Sequence, residues 1–321
     1  MTAITNKLMN YIFGAALLAM PVSVVGQTLG IAGEKSASIG IYIKDLRTDK
    51  AIVAKDIERG YVPASVIKTV TTASAMSLLS EDYRFETIAR LRGAKSSSPS
   101  VWEGDIEIIA SGDPTLDSDN FSGNGGLVDS IVSSLKSMGI TRVTGSIRLI
   151  DDDVPQQGPV EKWEISDVAY AYGAGWYMFN WKDNIYRLNT TTRETTPYVP
   201  DIKIEKHNSR RGTSIVRGIG SNVVSLYTPQ TSRNNYVFST MPYPWIAFEY
   251  ALRKSLTDAG VEVGHKCVCD DDDDTDDVET IFSRFSPSRD TILGSMMRRS
   301  DNMYAESILR SFAPDEEAAR R

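Results

Sequence analysis

A serine and a lysine three positions apart, at the start of a predicted helix, form the strongest chemical pattern in the chain. They stand in Pro63-Ala64-Ser65-Val66-Ile67-Lys68-Thr69. The i, i+3 spacing puts the Ser65 hydroxyl and the Lys68 ammonium one turn apart on the same helical face. A partly desolvated lysine loses its proton readily and can then serve as a base for the hydroxyl. The pattern therefore predicts a serine activated to accept an acyl group.

A second polar group, Ser300-Asp301-Asn302, lies between two predicted helices. A short link between helices can hold two side chains rigidly in one cleft. Serine, aspartate and asparagine also favour helix N-caps, so one of the three residues could cap the helix while another takes part in chemistry. We predict that Ser300 and Asn302 face the same cleft as Ser65.

Both patterns occur twice, so their context has to decide between the copies. Ser133-Ser134-Leu135-Lys136 lies near the end of a predicted helix among polar neighbours, which favours an exposed face. Ser118-Asp119-Asn120 lies in a run rich in Asp, Asn and Gly, which indicates a flexible loop. We therefore favour the pairs that begin at Ser65 and Ser300, which are 235 residues apart (300 − 65). A gap of that length predicts a large insertion between two halves of one domain.

The composition indicates an exported globular protein. The chain has 321 residues, of which 41% are hydrophobic and 24% charged, enough for two or three packed units. A net charge of -7 and a pI of about 5.1 argue against a nucleic-acid partner. Residues 1–26 have the pattern of a cleaved secretion signal, with Lys7 before the apolar run Tyr11 to Val25. A membrane span needs ~20 apolar residues, so we predict none in the mature chain; an uncleaved N-terminal anchor is the alternative.

The two cysteines, Cys267 and Cys269, raise the question of a metal site. With His265 and the acidic run Asp270 to Asp277 they could bind zinc. Structural zinc sites, however, use C-x₂₋₄-C spacing. We favour a solvated acidic loop after a strand.

Hydrophobic periodicity predicts alternating strands and helices with a β-rich middle between residues 202 and 238. The predicted strands are Ser38 to Asp45, Ala51 to Ala54, Tyr83 to Leu91, Ile106 to Ala110, Val143 to Ile150 and Ile281 to Phe285. The predicted helices are Pro63 to Leu79, Leu127 to Met138, Trp245 to Gly260, Pro287 to Met297 and Asn302 to Ser311.

Four segments give the chain a family resemblance: Val62 to Lys68, Ser111 to Leu116, Tyr172 to Gly175 and Met297 to Glu306. The chain resembles the D-alanyl-D-alanine carboxypeptidase/endopeptidases, the low-molecular-mass class C penicillin-binding proteins. The resemblance implies an α/β (α+β) fold: a β-lactamase/transpeptidase-like serine domain, incomplete at its C-terminus and interrupted by a large β-rich inserted region. The expected organisation is a signal peptide at 1–26, a first part at 27–92, inserted domains at 93–280 and a second part at 281–321.

The resemblance also implies a role for each site residue. Ser65 is the expected nucleophile and Lys68 the base that takes its proton. Ser300 is expected to relay protons toward the leaving amine, and Asn302 to hold Lys68 or the substrate amide. Asp113 lies in a family-typical segment, but its chemistry predicts only an Asp-Pro turn.

The implied function is that of an exported serine-type D-Ala-D-Ala carboxypeptidase/endopeptidase. Its partners are expected to be peptidoglycan stem peptides, with β-lactams as covalent inhibitors, and the acyl-enzyme route needs neither a metal nor an organic cofactor. The family's Lys-Thr-Gly motif does not follow Asn302 before Arg321. In the family this motif lies on a strand of the central sheet, binds the substrate carboxylate and helps to form the oxyanion hole, which can be worth ~3–4 kcal/mol per donor. We expect the chain to be a fragment or a truncated product.

Two other functions stay open. The absent third motif favours a cell-wall binding homologue without catalytic activity. A β-lactamase would need a glutamate that serves a deacylating water, and the sequence has no E-x-x-L-N segment at a suitable place.

Overall fold

The computed structural model describes residues 36–123, 125–151, 157–160, 162–230, 235–269 and 277–313. The predicted secretion signal at 1–26 lies outside these ranges, as does nearly all of the acidic run from Asp270. Within the described ranges, no helix is long and apolar enough to cross a membrane. The chain divides into two compact units, of which the first ends at Ala64 and the second begins at Ser65.

Five α-helices and fourteen strands are formed by the described residues. The helices are α1 (Lys68–Leu78), α2 (Leu127–Ser137), α3 (Pro244–Asp258), α4 (Arg289–Arg299) and α5 (Asn302–Phe312). The first seven strands are β1 (Ile41–Asp45), β2 (Lys50–Lys55), β3 (Glu86–Lys95), β4 (Val101–Ile109), β5 (Arg142–Val143), β6 (Ile147–Ile150) and β7 (Ile185–Asn189). The remaining strands are β8 (Thr195–Thr196), β9 (Lys203–Asn208), β10 (Ser214–Arg217), β11 (Val223–Thr228), β12 (Tyr236–Thr240), β13 (Glu262–Val263) and β14 (Asp277–Phe285).

In the first unit, β1 and β2 form an antiparallel hairpin around a polar turn, as predicted. The Asp45 carboxylate accepts hydrogen bonds from the backbone N–H groups of Arg47, at 2.8 Å, and Thr48, at 3.3 Å. These bonds, chiefly the one from Arg47, lower the pKa of Asp45. The Asp45 side chain thus stabilises the turn between β1 and β2 by accepting backbone N–H groups of the turn, as aspartate commonly does.

The second unit is built around a six-stranded sheet in the order β13-β5-β4-β3-β14, with β6 beside the end of β4. Helices α2 and α3 pack together against this sheet, and β3 and β14 pair antiparallel along their length. Strands β9 to β12 lie in or at the end of the β-rich middle that the sequence predicts at 202–238, and they belong to two three-stranded sheets, β10-β11-β9 and β12-β7-β8, of which β7 and β8 precede the predicted range. The predicted boundaries at 92/93 and 280/281 fall inside β3 and β14, and the division into domains stays a prediction.

The single strand predicted from Val143 to Ile150 is wrong, because β5 and β6 are separate strands. The buried Asp105 carboxylate causes the break. It accepts the backbone N–H of Ser146 at 2.6 Å, and a Cβ on Gly145 would lie 2.1 Å from Asp105 Oδ1. The same carboxylate accepts from the Cys269 N–H at 2.9 Å and from the Cys267 thiol at 3.1 Å. A backbone N–H that binds a side chain cannot continue a strand ladder.

A second core joins α1, α4 and α5. Its fully or nearly buried residues come from these helices and from the segments that flank them: Ala75, Phe85, Ala174, Trp176, Ile292, Leu293, Met296, Met303, Tyr304 and Ile308. The buried guanidinium of Arg289, at the start of α4, donates to the backbone carbonyls of Met76 and Leu79 at the end of α1. A cation that satisfies the last carbonyls of a helix is favourable. Arg289 therefore holds α1 and α4 in a defined relation.

The buried charge cluster on the sheet predicts an effect on stability. Glu107 is fully buried, and its carboxylate lies 2.7 Å from Arg90, 3.3 Å from Arg148 and 3.8 Å from Arg92. Glu107→Gln keeps the shape and removes the charge, so three guanidinium groups lose their shared counter-ion. We expect the free energy of unfolding to fall by about 3 kcal/mol, as measured by urea denaturation.

A matched control for this substitution is Glu279→Gln. Glu279 pairs with Lys95 at 3.0 Å, but the Lys95 side chain is 72% exposed and that of Glu279 is 37% exposed. An exposed pair is worth at most ~1 kcal/mol. Equal losses for the two variants would show that the buried cluster contributes no more than an ordinary surface pair.

Candidate active site

Ser65 and Lys68 are brought together by a change of helix type. The predicted helix starts as a 3₁₀ turn, Ala64–Ile67, and continues as α1 from Lys68. Side chains at i and i+3 are eclipsed in a 3₁₀ turn. The Ser65 hydroxyl is exposed, whereas Lys68 is only 4% exposed and its ammonium donates to Ser65 Oγ at 3.4 Å. The hydroxyl thus faces solvent while its neighbouring amine is buried.

The Lys68 ammonium has a second partner, Asn302, which lies 234 residues later in the chain. Lys68 Nζ donates to Asn302 Oδ1 at 2.5 Å, and Asn302 Nδ2 donates to the backbone carbonyl of Tyr172 at 2.8 Å. The second bond fixes the orientation of the Asn302 amide, because only its nitrogen can donate to a carbonyl. The amide oxygen therefore faces the amine.

The charge state of Lys68 is set by two opposing influences. Burial is the larger and lowers the pKa of Lys68, while the carboxylates of Asp301 and Glu306 act in the opposite direction. A lysine with a lowered pKa gives up its proton more readily than a free one. The arrangement can therefore supply an unprotonated amine next to an exposed hydroxyl, which is the requirement for a serine nucleophile.

The three residues of Ser300-Asp301-Asn302 have different structural roles. Ser300 ends α4 in the left-handed region, with φ 56° and ψ 37°, and is exposed. Asp301 caps α5 by accepting the Tyr304 backbone N–H at 3.0 Å. Asn302 alone reaches Lys68, and among the described contacts the Ser300 hydroxyl bonds to neither Ser65 nor Lys68. The structure thus brings Ser65, Lys68 and Asn302 together and leaves Ser300 at an exposed turn beside them.

The alternative copies of both patterns lie elsewhere. Ser133 and Lys136 are exposed on α2, as their polar neighbours predict. Ser118 is buried, and its hydroxyl lies 3.0 Å from the Tyr304 hydroxyl on the inner side of α5. Asn120 also donates to the Tyr304 hydroxyl, at 3.2 Å. This second Ser-Asp-Asn segment is therefore a support for the helix that carries Asn302.

Asp113 forms the turn that its sequence predicts. Its Oδ1 accepts from the backbone N–H of Thr115 at 2.8 Å and from the Thr115 hydroxyl at 2.7 Å. The side chain is fully buried, and its Oδ2 has no hydrogen-bond partner among the residues that the structure describes. Burial raises the pKa of Asp113 to about 6. Its contacts are those of a structural turn.

The sequence did not identify the Tyr172 carbonyl or the charges of Asp301 and Glu306 as parts of the site. The role of the Tyr172 carbonyl could have been suspected from Gly173, the glycine that follows Tyr172 in the sequence. A Cβ on Gly173 would lie 2.0 Å from the Asp167 carbonyl, so only glycine allows this close approach. The Tyr172 hydroxyl also donates to the Asp167 carboxylate at 3.0 Å. Both contacts hold the segment that presents the Tyr172 carbonyl to Asn302.

The lowered pKa of Lys68 predicts a pH dependence of stability. The unfolded chain keeps the Lys68 proton up to the ordinary pKa of 10.5, whereas the folded protein releases it at lower pH. Between these two values the unfolded state binds more protons, so unfolding becomes less favourable as pH rises. We expect the free energy of unfolding, relative to Lys68→Met, to be flat at low pH and to rise in this window, as measured by urea denaturation at a series of pH values.

The control for this pH series is Lys254→Met. The Lys254 ammonium lies 2.5 Å from the Asp258 carboxylate, and this hydrogen bond raises the pKa of Lys254. The stability that it contributes is present below pH 10.5 and is lost above it. The stability difference should therefore rise below pH 10.5 for Lys68 and fall above pH 10.5 for Lys254. A falling difference for Lys68 would contradict the assignment of a buried, destabilised ammonium.

Comparison with known proteins places this geometry in a family. The sequence model described as "D-Ala-D-Ala carboxypeptidase 3 (S13) family" matches residues 30–320. A D-alanyl-D-alanine carboxypeptidase from Actinomadura sp. (strain R39) is 26% identical over 140 residues, which cover 44% of this chain and 24% of that protein.

Solved structures support the same fold. Penicillin binding protein 4 (dacB) from Haemophilus influenzae superposes with a TM-score of 0.67 at 17% identity, over 85% of this chain and 62% of that one. The same protein in complex with a novel β-lactam gives a TM-score of 0.62 at 17% identity, over 85% and 60% of the two chains. The chain thus spans less than two thirds of each relative.

These similarities confirm the predicted fold class, a mixed α/β fold of the β-lactamase/transpeptidase type with an inserted region. The family pattern extends over most of the chain, including the segments of Ser65, Lys68 and Asn302. The chain belongs to the D-Ala-D-Ala carboxypeptidase 3 (S13) family, within the low-molecular-mass class C penicillin-binding proteins.

Proposed function

We propose that the protein is a serine-type D-Ala-D-Ala peptidase that acts on peptidoglycan stem peptides through an acyl-enzyme. The observation that carries the proposal is the position of the Lys68 amine. It is buried, it lies 3.4 Å from the exposed Ser65 hydroxyl, and it is held by Asn302 at 2.5 Å. A base within this reach of a hydroxyl can accept its proton during attack.

The proposed reaction runs in two steps. Lys68 in its neutral form takes the Ser65 proton while Ser65 Oγ attacks the carbonyl carbon of the penultimate D-Ala. The C–N bond to the terminal D-Ala then breaks, and that D-Ala leaves as an amine after it gains a proton, which we assign to Ser300 as relay. Water hydrolyses the resulting ester and restores the Ser65 hydroxyl. Asn302 keeps the amine aimed at Ser65 through both steps.

The proposed place of action is the cell envelope. The pattern of residues 1–26 favours export, and the substrate class of the family lies outside the cytoplasm. A β-lactam offers a strained amide in place of the D-Ala-D-Ala peptide bond, so we expect it to acylate the same serine.

A second candidate function is binding without turnover. It is the alternative in which the site holds a peptide but Ser65 is not acylated. A binding protein would retain a D-Ala-D-Ala peptide, as measured by calorimetry, and would release no free D-Ala from it.

Covalent labelling with a fluorescent penicillin tests the proposed chemistry. We expect an adduct on the peptide that contains Ser65, identified by mass spectrometry. Ser65→Ala should abolish the adduct. Lys68→Ala should slow its formation by roughly 10²–10⁴-fold, since the hydroxyl loses its base.

Ser133→Ala is the matched control, because Ser133 belongs to the exposed copy of the same sequence pattern. It should leave labelling unchanged. Label on Ser133, or undiminished label in Ser65→Ala, would rule out Ser65 as the nucleophile. Rapid loss of the label as hydrolysed penicillin would favour a β-lactamase, since a peptidase holds the acyl group much longer.

A further inference from the structure

Behind the first turn of α5 lies a group of buried and half-buried polar side chains that the proposed chemistry does not use. We call it the Tyr304 cluster; its members are Ser118, Asn120, Asp183 and Tyr304. The Tyr304 hydroxyl donates to Asp183 Oδ1 at 2.6 Å and accepts from Asn120 Nδ2 at 3.2 Å, with Ser118 Oγ at 3.0 Å. Asn120 Nδ2 also lies 3.3 Å and 3.4 Å from the two Asp183 oxygens. Burial raises the pKa of both Tyr304 and Asp183.

The cluster and the active site contact the same turn of α5 from different sides. Asn302 and Tyr304 are two positions apart, and each helical step turns the side chain by about 100°. Asn302 can therefore reach Lys68 while Tyr304 points into the interior, where its ring also stacks on Phe121 at 5.9 Å. Asp301, the residue before Asn302, accepts a hydrogen bond from the Tyr304 backbone N–H and so links the positions of Asn302 and Tyr304. A shift of Tyr304 would move Asn302 with it.

Asp183 is presented by an unusual turn. Lys182, Asp183 and Asn184 all have left-handed backbone conformations, with φ of 52°, 56° and 54°. Such a run is unfavourable for residues other than glycine, and so it must be held by its surroundings. The Asn184 side chain does this, because it accepts the Trp181 backbone N–H at 2.9 Å and donates to the Gly175 carbonyl at 2.9 Å.

This turn connects to both supports of Asn302. Through Asp183 it holds Tyr304 and hence the start of α5. Through Asn184 it holds Gly175, three residues after Tyr172, whose carbonyl fixes the Asn302 amide. The same turn thus contacts both the helix that carries Asn302 and the segment whose Tyr172 carbonyl orients the Asn302 amide.

We propose that Asp183 and Tyr304 are positioning residues that set the distance between Asn302 and the Lys68 amine. They touch neither Ser65 nor Lys68 in the described structure, and they act through α5. The inference rests on the proposed function in treating Lys68 as the base, but its structural content, the placement of the Lys68 amine, can be measured separately.

The test is the reactivity of the Lys68 amine toward acetic anhydride, followed residue by residue by mass spectrometry and referred to the exposed Lys136. In the native protein Lys68 is buried and bonded to Asn302, so it should react slowly. Tyr304→Phe removes one hydroxyl and should raise the Lys68 rate by about 3- to 10-fold, a range typical of coupled neighbours. Asp183→Asn, which suits a left-handed turn, should act in the same direction but less.

Two controls separate positioning from a general loss of stability. Tyr186→Phe removes a buried hydroxyl from β7, outside the Tyr304 cluster, and should leave the Lys68 rate unchanged. The Lys206 amine donates to the Thr190 carbonyl at 2.8 Å in another part of the unit, and its rate should stay constant in every variant. A parallel rise of Lys206 and Lys68 in Tyr304→Phe would indicate general loosening and would overturn the proposal.

A double-mutant cycle with Asn302→Ala tests the route of the effect. If Tyr304 acts through Asn302, Asn302→Ala alone should speed the Lys68 reaction, and adding Tyr304→Phe should change it no further. A Tyr304→Phe effect of equal size with and without Asn302 would overturn the proposal, as would an unchanged Lys68 rate in Tyr304→Phe.

Penicillin acylation of Ser65, measured on the same proteins, separates this inference from the proposed function. A protein that is not acylated but whose Lys68 rate responds to Tyr304→Phe through Asn302 would refute the peptidase and support the positioning. A protein that is acylated equally well with and without the Tyr304 hydroxyl, with an unchanged Lys68 rate, would support the peptidase and refute the positioning.

Discussion

The hydrogen bond from the Lys68 ammonium to the Asn302 amide oxygen, 2.5 Å long, joins two segments that are 234 residues apart. A buried ammonium is costly unless its protons find acceptors. A carboxylate in direct contact would satisfy it but would also keep it charged. Asn302 offers a neutral acceptor instead. Lys68 can therefore be held firmly while burial still lowers its pKa, which is the combination that a lysine base needs.

The second core packs together the helices that carry the two partners of this bond. Helix α1 carries Lys68, α5 carries Asn302, and α4 lies between them in the chain and packs against both. The guanidinium of Arg289 donates to a backbone carbonyl at the end of α1, and the Asp301 carboxylate accepts a backbone N–H at the start of α5. The carbonyl of Tyr172 then fixes the rotation of the Asn302 amide. Each of these contacts satisfies a helix end or a backbone group that would otherwise be left unpaired.

The repeated Ser-Asp-Asn pattern shows how one short sequence can have two structural uses. In the copy at Ser300, the aspartate caps a helix and the asparagine meets the lysine. In the copy at Ser118, the serine and Asn120 are turned inward and bind the Tyr304 hydroxyl. The two copies differ in burial and not in composition. The second thus stabilises the helix on which the first depends.

The sequence by itself determined the local features of this protein, namely its helices, one pair of site residues and a helix cap. Periodicity gave the helices within a few residues, the i, i+3 spacing paired Ser65 with Lys68, and capping chemistry showed that the residues around Asp301 would divide their roles. Only the tertiary structure decided that Lys68 is buried, that Asn302 meets it while Ser300 does not, and that the Tyr172 carbonyl takes part. The physical reason is that burial and long-range contacts depend on how distant segments pack, and a backbone carbonyl is the same in every residue. Spacing along the chain carries no information about either.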